Sequence, residues 1–180
     1  QTGTFTQSQP ISIPTSTGPS KADPYPLPIT VPANPDGFVT GLTVRINGLS
    51  HTAAFDLDIL LVGPTGRSVL LMSDAGRTTD LNNATLTFSD SASNPLPETT
   101  AIASGTYRPT NYGSGDTFPS PAPGPPKGGY GTSLATFNNV NRVGTWRLYI
   151  LDDFPTSFAG SLANGWTLSL RLNYIEATVT

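Results

Sequence analysis

The chain has 180 residues, a formal net charge of −3, one histidine and no cysteine. This length is enough for one domain with a hydrophobic core and short for two, so we expect a single domain over residues 1–180. The nine basic residues form no stripe that could neutralise a run of phosphates, which argues against a nucleic-acid partner. No apolar run approaches the length of a membrane span. The lack of cysteine excludes disulfides and thiolate metal sites.

Residues 1–36 are rich in Thr, Ser and Pro and contain short β-prone pieces such as "ISIP" and "YPLPITVP". Prolines in this segment exclude a helix and confine these pieces to sheet edges. They include Pro10, Pro14, Pro24, Pro26, Pro28, Pro32 and Pro35. The chain begins at Gln1 without a methionine or a signal-like segment, which predicts a mature or excised part of a longer exported protein.

The next stretches alternate apolar and polar residues as strands do. In "GFVTGLTVRING" the apolar side chains Leu42, Val44 and Ile46 are separated by polar ones, which predicts a strand with one buried face. "LDILLV" and "SVLLM" are apolar on both sides and are typical of central strands. The "GPTG" between them supplies the turn of a short hairpin. The alternation resumes in "ATLTF".

Residues 89–141 are mostly loop, rich in Pro, Gly and Tyr, before two closing strands. A loop of this length in a compact domain is usually functional or fastened down by its own side chains. The closing strands "TWRLYIL" and "WTLSLRL" alternate strongly, and they place Trp146 and Trp166 on apolar faces. No segment shows a sustained helical period. We therefore predict an all-β sandwich of two antiparallel sheets, with about eight or nine strands.

Several of these stretches together resemble a known family, the P domain (P/Homo B domain) of kexin- and furin-type proprotein convertases. The similarity covers roughly residues 38–172. It is carried by His51-Thr52, Asp56-Leu57-Asp58-Ile59, Gly63-Pro64-Thr65-Gly66, Gly144-Thr145-Trp146, Asp152, Gly160, Leu162 and Trp166. Residues 104–124 depart from the eukaryotic pattern and look more like the bacterial version, an accessory module of secreted proteases and large surface proteins.

The resemblance implies a jelly-roll β-sandwich in an extracellular, secreted or cell-surface setting. It also implies that the domain itself is non-catalytic, although its parent protein would be a serine endopeptidase or another secreted protease, or an adhesive protein. The neighbouring domain of the same polypeptide would be its partner, and the exposed part of residues 105–130 is the surface expected to meet it. Several members of the family bind calcium.

His51 and the nearby aspartates invite a catalytic interpretation, which the sequence does not favour. A Ser-His-Asp hydrolase would need His51 as its base, and no G-x-S-x-G elbow occurs in the chain. A glycosidase pair is compatible with the ten aspartates, but no pair stands in a recognisable context. We predict a hydrogen-bonded, half-buried histidine and no catalytic residue.

Metal binding is a stronger hypothesis. By the two-residue period of a strand, Asp56 and Asp58 project to the same side, and Asp152 and Asp153 end another strand. If these strand ends are neighbours, three or four carboxylates converge and require a cation, for which calcium is the expected choice. Asp90, at a further strand end, is the next candidate. Capping of turns in water is the competing interpretation, which we favour for Asp153 taken alone. With one histidine and no cysteine, zinc is nearly excluded.

A carbohydrate-binding or adhesion module is the alternative function, because β-sandwiches present aromatic side chains to sugar rings. The two tryptophans are better explained as core residues. Tyr107, Tyr112, Phe118 and Tyr130, in the long loop, are the candidates for exposed contacts with a polysaccharide. Packing of the loop against its own prolines explains them equally well.

Overall fold

Two β-sheets packed face to face form the molecule, whose computed structural model describes residues 1–33, 37–154 and 158–173. The strands are β1 Thr2–Gln7, β2 Ile11–Ile13, β3 Ser20–Lys21, β4 Leu27–Val31, β5 Phe38–His51, β6 Leu57–Val62, β7 Ser68–Ser73, β8 Leu81–Phe88, β9 Gly105–Tyr107, β10 Thr110–Asn111, β11 Gly144–Asp152, β12 Gly160–Leu162 and β13 Trp166–Asn173. In these described ranges, eight strands have at least five residues and five have two or three. The predicted β-sandwich is confirmed, and the additional strands are short pieces at its edges and between its longer strands.

The first sheet is built around β5, the 14-residue strand. One edge of β5 pairs with β13 and then β12, and its other edge pairs with β8. Strands β1 and β2 follow outside β13 and β12. In the second sheet β11 lies between β6 on one side and β3 and β4 on the other, and β7 and β10 continue beyond β6. The N-terminal strands β1–β4 thus form edges of both sheets, as the prolines of residues 1–36 predict. Pro35 lies outside the described residues.

Both sheets are mixed, which differs from the purely antiparallel prediction. The parallel pairs are β8 with β9 and β7 with β10, each two or three residues long. Strands β9 and β10 belong to the long segment 89–141, which returns along the edge of each sheet instead of remaining loop throughout. The "GPTG" hairpin between β6 and β7 is confirmed, with a hydrogen bond from the Gly63 amide to the Arg67 carbonyl.

The main core lies between the sheets and contains the side chains predicted from the alternation. Leu42, Val44 and Ile46 of β5 are buried, and Trp146 and Trp166 are completely so. Phe137, in a 3₁₀ turn Leu134–Phe137, packs on Trp146 with ring centroids 5.0 Å apart. The assignment of both tryptophans to the core is therefore confirmed.

The outer face of the second sheet carries a second hydrophobic cluster. Phe118 and Tyr130, from the long loop, pack on side chains of β6, β7 and β11 such as Leu60, Leu70 and Tyr149. This cover explains why β6 and β7 are apolar on both faces. It also corrects the prediction of exposed loop aromatics, because Phe118 and Tyr130 are only 6% and 8% exposed.

The other two candidate aromatic residues of the long loop, Tyr107 and Tyr112, differ in exposure. Tyr107 is half-buried and packs against the main core, whereas Tyr112 is 38% exposed. Of the four aromatic residues proposed as sugar contacts, only Tyr112 keeps a substantial exposed surface. In the described part of the chain there is no helix long and apolar enough to cross a membrane.

Candidate functional site

The beginning of β6 and the end of β11 lie side by side, as the metal hypothesis requires. These strands are antiparallel, with Asp58 opposite Leu151 and Leu57 opposite Asp152. Beyond the paired residues, the Asp153 amide donates a hydrogen bond of 2.9 Å to the Asp56 carbonyl. All four predicted aspartates of these two strand ends are therefore gathered at one end of the sandwich.

Strand alternation then divides the four aspartates between two surroundings. Asp58 and Asp153 line a cavity on the outer side of the second sheet. Asp152 points between the sheets, where it meets His51. Asp56 is buried beside this pair rather than in the cavity, because the 3₁₀ turn Ala54–Asp56 interrupts the two-residue alternation before β6 begins. The prediction that Asp56 and Asp58 share one side is wrong for this reason.

The cavity, which we call the acidic cavity, has a volume of about 510 Å³. Its carboxylates come from Asp58, Asp74, Asp116 and Asp153. Its other lining residues are Pro19, Gly113, Ser114, Gly115, Thr117, Phe118, Pro119 and Leu151, so no basic side chain lines it. Four carboxyl groups thus line one space without a basic side chain.

Hydrogen-bond donors in the acidic cavity are fewer than the acceptors. The buried Ser73 hydroxyl lies 3.1 Å from Asp74 Oδ2 and 3.1 Å from Asp116 Oδ1. A hydroxyl has one proton and donates to one of these oxygens at a time. Asn111 Nδ2 donates to the other oxygen of Asp116 at 2.7 Å. Several carboxylate oxygens therefore remain open to another positive or donating group.

Burial and mutual repulsion shift the acid-base behaviour of these carboxylates. Burial raises the pKa of Asp58 to about 8. A hydrogen bond from Ser73 lowers this pKa, and the negative charges of Asp153, Asp116 and Asp74 raise it further. Partial desolvation, followed by the charges of Asp74 and Asp56, raises the pKa of Asp153 to about 6, although residue 153 is exposed overall. Desolvation also raises the pKa of Asp74. These aspartates are thus held in a place that disfavours their own charge.

Sequence reasoning missed Asp74 and Asp116. Asp74 follows β7 directly, and β7 pairs with β6, so a strand-end carboxylate beside Asp58 was available as a signal. Gly113 gives this carboxylate its space, since a Cβ at residue 113 would overlap Asp74 Oδ2. Asp116 gave no signal, because it reaches the cavity only through the fold of the long loop.

His51 and Asp152 form a buried link between the two sheets. Nε2 of His51, on β5, lies 3.2 Å from Asp152 Oδ2, on β11. Nδ1 lies 2.8 Å from the carbonyl oxygen and 3.2 Å from the amide nitrogen of Ala53. Both ring nitrogens are thus engaged, and residue 51 is 2% exposed rather than half-buried as predicted. This geometry holds the ring in place.

Asp90 lies apart from the other predicted ligands. Its carboxylate accepts hydrogen bonds from the amides of Leu134 and Ala135 and from the Ser133 hydroxyl. It therefore caps the 3₁₀ turn Leu134–Phe137, and it lines a different cavity, of about 660 Å³. This is the turn-capping role considered as the competing interpretation.

The donor set of the acidic cavity fits a hard cation. Carboxylate, hydroxyl and carbonyl oxygens are calcium ligands, whereas zinc prefers nitrogen and sulfur. In residues 1–33, 37–154 and 158–173, no three His, Cys, Asp or Glu side chains converge closely enough to form a ready metal site by themselves. The acidic cavity thus offers separate carboxylates around a shared space.

No family model and no curated protein matches the chain. Among solved structures, the crystal structure of the serine protease of Aeromonas sobria is similar at 13% identity and a TM-score of 0.42. The crystal structure of that protease with the chaperone ORF2 is similar at 14% identity and a TM-score of 0.43. The matches cover 94% and 97% of this chain but 27% of each matched chain. Similarity at this level supports no inference about function.

Proposed function

We propose that this chain is a non-catalytic, calcium-binding accessory module of an exported protein. The observation that carries the calcium assignment is the acidic cavity, which four carboxyl groups line without a basic side chain. Besides burial, neighbouring carboxylates raise the pKa values of Asp58 and Asp153, and such repulsion favours uptake of protons or of a cation. Asp58 and Asp153 come from the predicted strand ends, and Asp74 and Asp116 are added by the tertiary structure.

Calcium suits this place better than magnesium. It takes about six to eight oxygen ligands in flexible geometry and accepts backbone carbonyls and water among them, so it does not need all four carboxylates at once. Magnesium demands a nearly ideal octahedron and gives up its water reluctantly. When bound, the ion would neutralise the cavity and tie β6, β7 and the long loop together through Asp58, Asp74 and Asp116.

The accessory role rests on the resemblance to P domains and on the surroundings of His51. The burial of the His51 imidazole and the partners at both of its nitrogens support a structural role. The resemblance supplies the remaining parts of the proposal: an extracellular setting and a neighbouring protease or adhesive domain that the module stabilises or positions. Millimolar extracellular calcium would keep even a weak site of this kind occupied.

Thermal unfolding with calcium, with magnesium and with chelator tests the calcium assignment. A ligand that binds only the folded chain raises the midpoint in proportion to the logarithm of its concentration. We expect calcium to raise the wild-type midpoint by several degrees and magnesium to do so much less. Asp58→Asn and Asp116→Asn should abolish the calcium increment.

Asp80→Asn is the matched control, since it removes an exposed carboxylate outside the acidic cavity. This variant should keep the full calcium response. Asp58→Asn has a second signature: it removes a buried carboxyl group whose ionisation is disfavoured in the folded chain but not in the unfolded chain, so its midpoint in chelator should be above that of the wild type. Equal midpoints of the wild type in calcium and in chelator would show that the acidic cavity is not a calcium site.

A further inference from the structure

A second pocket beside the acidic cavity combines exposed aromatic rings with charged side chains. We call it the aromatic pocket; it has a volume of about 320 Å³. Its lining residues are Phe55, Asp74, Arg77, Glu98, Thr99, Tyr112 and Gly113. Phe55 and Tyr112 are 40% and 38% exposed, and these two exposed aromatic side chains line the pocket together.

The Tyr112 ring is held in place by its own hydroxyl group, which donates a hydrogen bond of 2.5 Å to the Leu96 carbonyl. The Phe55 amide donates to the Arg77 carbonyl at 3.0 Å, which joins two lining residues of the pocket through their backbones. A ring fixed as that of Tyr112 loses little conformational entropy when a ligand stacks on it.

The polar side chains of the aromatic pocket are of both signs and remain available. In the described part of the chain, neither Arg77 nor Glu98 has an ion-pair partner within 4.0 Å. Together with Thr99 they offer hydrogen-bond donors and acceptors at the margin of the rings. A ligand with an apolar face and a rim of hydroxyl groups matches this combination.

Two residues of the aromatic pocket also have a backbone conformation that side chains rarely adopt. Asp74 has φ of +53° and Arg77 has φ of +51°. Non-glycine residues held in the left-handed region carry a cost, and they are found preferentially at ligand-binding places. Both residues lie in the connection between β7 and β8, and this observation is independent of the exposure of the rings.

We propose that the aromatic pocket binds a carbohydrate, with one sugar ring stacked on Phe55 or Tyr112 and its hydroxyls bonded to Arg77 and Glu98. A volume of about 320 Å³ accommodates one or two sugar units of a longer chain. A docking protein would need a contact surface of about 800 Å² on this chain, and the mixed charges would be costly to bury in it. The site goes beyond the calcium function and shares only Asp74 and Gly113 with the acidic cavity.

Native affinity electrophoresis of the full chain tests the proposal. The probes are soluble xylan, xyloglucan, laminarin, galactomannan and dextran, together with pull-down on insoluble cellulose and chitin. We expect at least one of them to retain the wild type and Phe55→Ala to weaken that retention at least about tenfold. Tyr112→Ala should act similarly, and Tyr112→Phe should bind as the wild type because the ring face remains.

Phe38→Ala is the matched control, since Phe38 is 42% exposed and lies outside the aromatic pocket. Its retention should equal that of the wild type. Asp116→Asn changes only the acidic cavity and should bind the sugar whether or not calcium binds, so the two proposals can fail separately. If no probe retains the wild type, or if Phe55→Ala binds as well as the wild type, the carbohydrate site is refuted.

Discussion

At the scale of single residues, the contact between His51 and Asp152 joins the two sheets inside the molecule. Both residues are 2% exposed, and His51 Nε2 and Asp152 Oδ2 are each other's hydrogen-bond partner. Removing one member of such a pair leaves the other buried and unsatisfied, which costs more than the pair contributes as a whole.

We therefore expect Asp152→Ala to lower the free energy of unfolding by about 3 kcal/mol. Urea unfolding followed by tryptophan fluorescence measures this loss, since both tryptophans are in the core. His51→Ala should produce a loss of similar size, and the double variant should lose much less than the sum of the two. Additive losses would mean that the two side chains do not act as a pair.

Gly160 is required for the close approach of β12 to this pair. A Cβ at residue 160 would lie 2.5 Å from His51 Cδ2 and 2.7 Å from the Ser50 carbonyl oxygen. The second atom belongs to the backbone and cannot turn away.

We expect Gly160→Ala to destabilise the chain by about 1–3 kcal/mol, as overpacking does elsewhere. The readout is the midpoint of urea unfolding. Gly18→Ala is the control, because no atom lies within 4 Å of a Cβ at residue 18. A loss in Gly18→Ala equal to that in Gly160→Ala would show that contact with His51 and Ser50 is not the cause.

At the scale of elements, the segment between β10 and the 3₁₀ turn Leu134–Phe137 acts as a third layer. Phe118 and Tyr130 meet edge to face with ring centroids 5.6 Å apart, above the outer surface of β6, β7 and β11. The Tyr130 hydroxyl donates to the Pro123 carbonyl at 2.7 Å, so the loop is also fastened to itself. This covering hides apolar strand residues that would otherwise face water.

Tyr130→Ala should therefore destabilise the whole domain, by about 3–5 kcal/mol as for other buried aromatic residues. Chemical denaturation measures the effect. Phe38→Ala, which removes an exposed ring, should change stability by less than about 0.5 kcal/mol. If Tyr130→Ala left stability unchanged while making the loop sensitive to proteases, the loop would be a detachable cover and not a structural layer.

At the scale of the whole molecule, the acidic cavity makes stability depend on pH. Asp58 and Asp153 have pKa values raised to about 8 and about 6 in the folded chain, against about 3.9 in an unfolded chain. Between pH about 4 and 8 the folded chain then holds more protons than the unfolded chain. Its free energy of unfolding falls as the pH rises through this window.

We expect calcium-free protein to lose stability steadily from pH 4.5 to 8.5, which urea midpoints at each pH will measure. Calcium should reduce the loss, because it binds the ionised carboxylates and releases their protons. Asp58→Asn, which cannot titrate at this position, should flatten the curve. A wild-type stability that rises over the same window without calcium would contradict the assignment of Asp58 as a buried, uncompensated acid.

Local patterns in the sequence were sufficient for the strands and for part of the site. The alternation along β5 and β11 identified their buried faces, and Asp58 and Asp153 were identified as strand-end carboxylates. The two-residue alternation predicted the wrong side for the Asp56 side chain, because a 3₁₀ turn replaces the expected strand there. Such a turn depends on the Phe55 amide and its distant acceptor at Arg77, and a two-residue period carries no information about that bond.

The all-β class, the hairpin at Gly63–Gly66 and the burial of both tryptophans could be predicted from the residue pattern, because these features follow from neighbours along the chain. Three other features became visible only in the folded chain: Asp116 joins Asp58, Phe118 and Tyr130 turn inward, and Phe55 and Tyr112 share a pocket. These arrangements depend on which strands pair and where the long loop crosses them. Such contacts form between residues that are far apart in the chain, so they depend on how the two sheets and the long loop pack together.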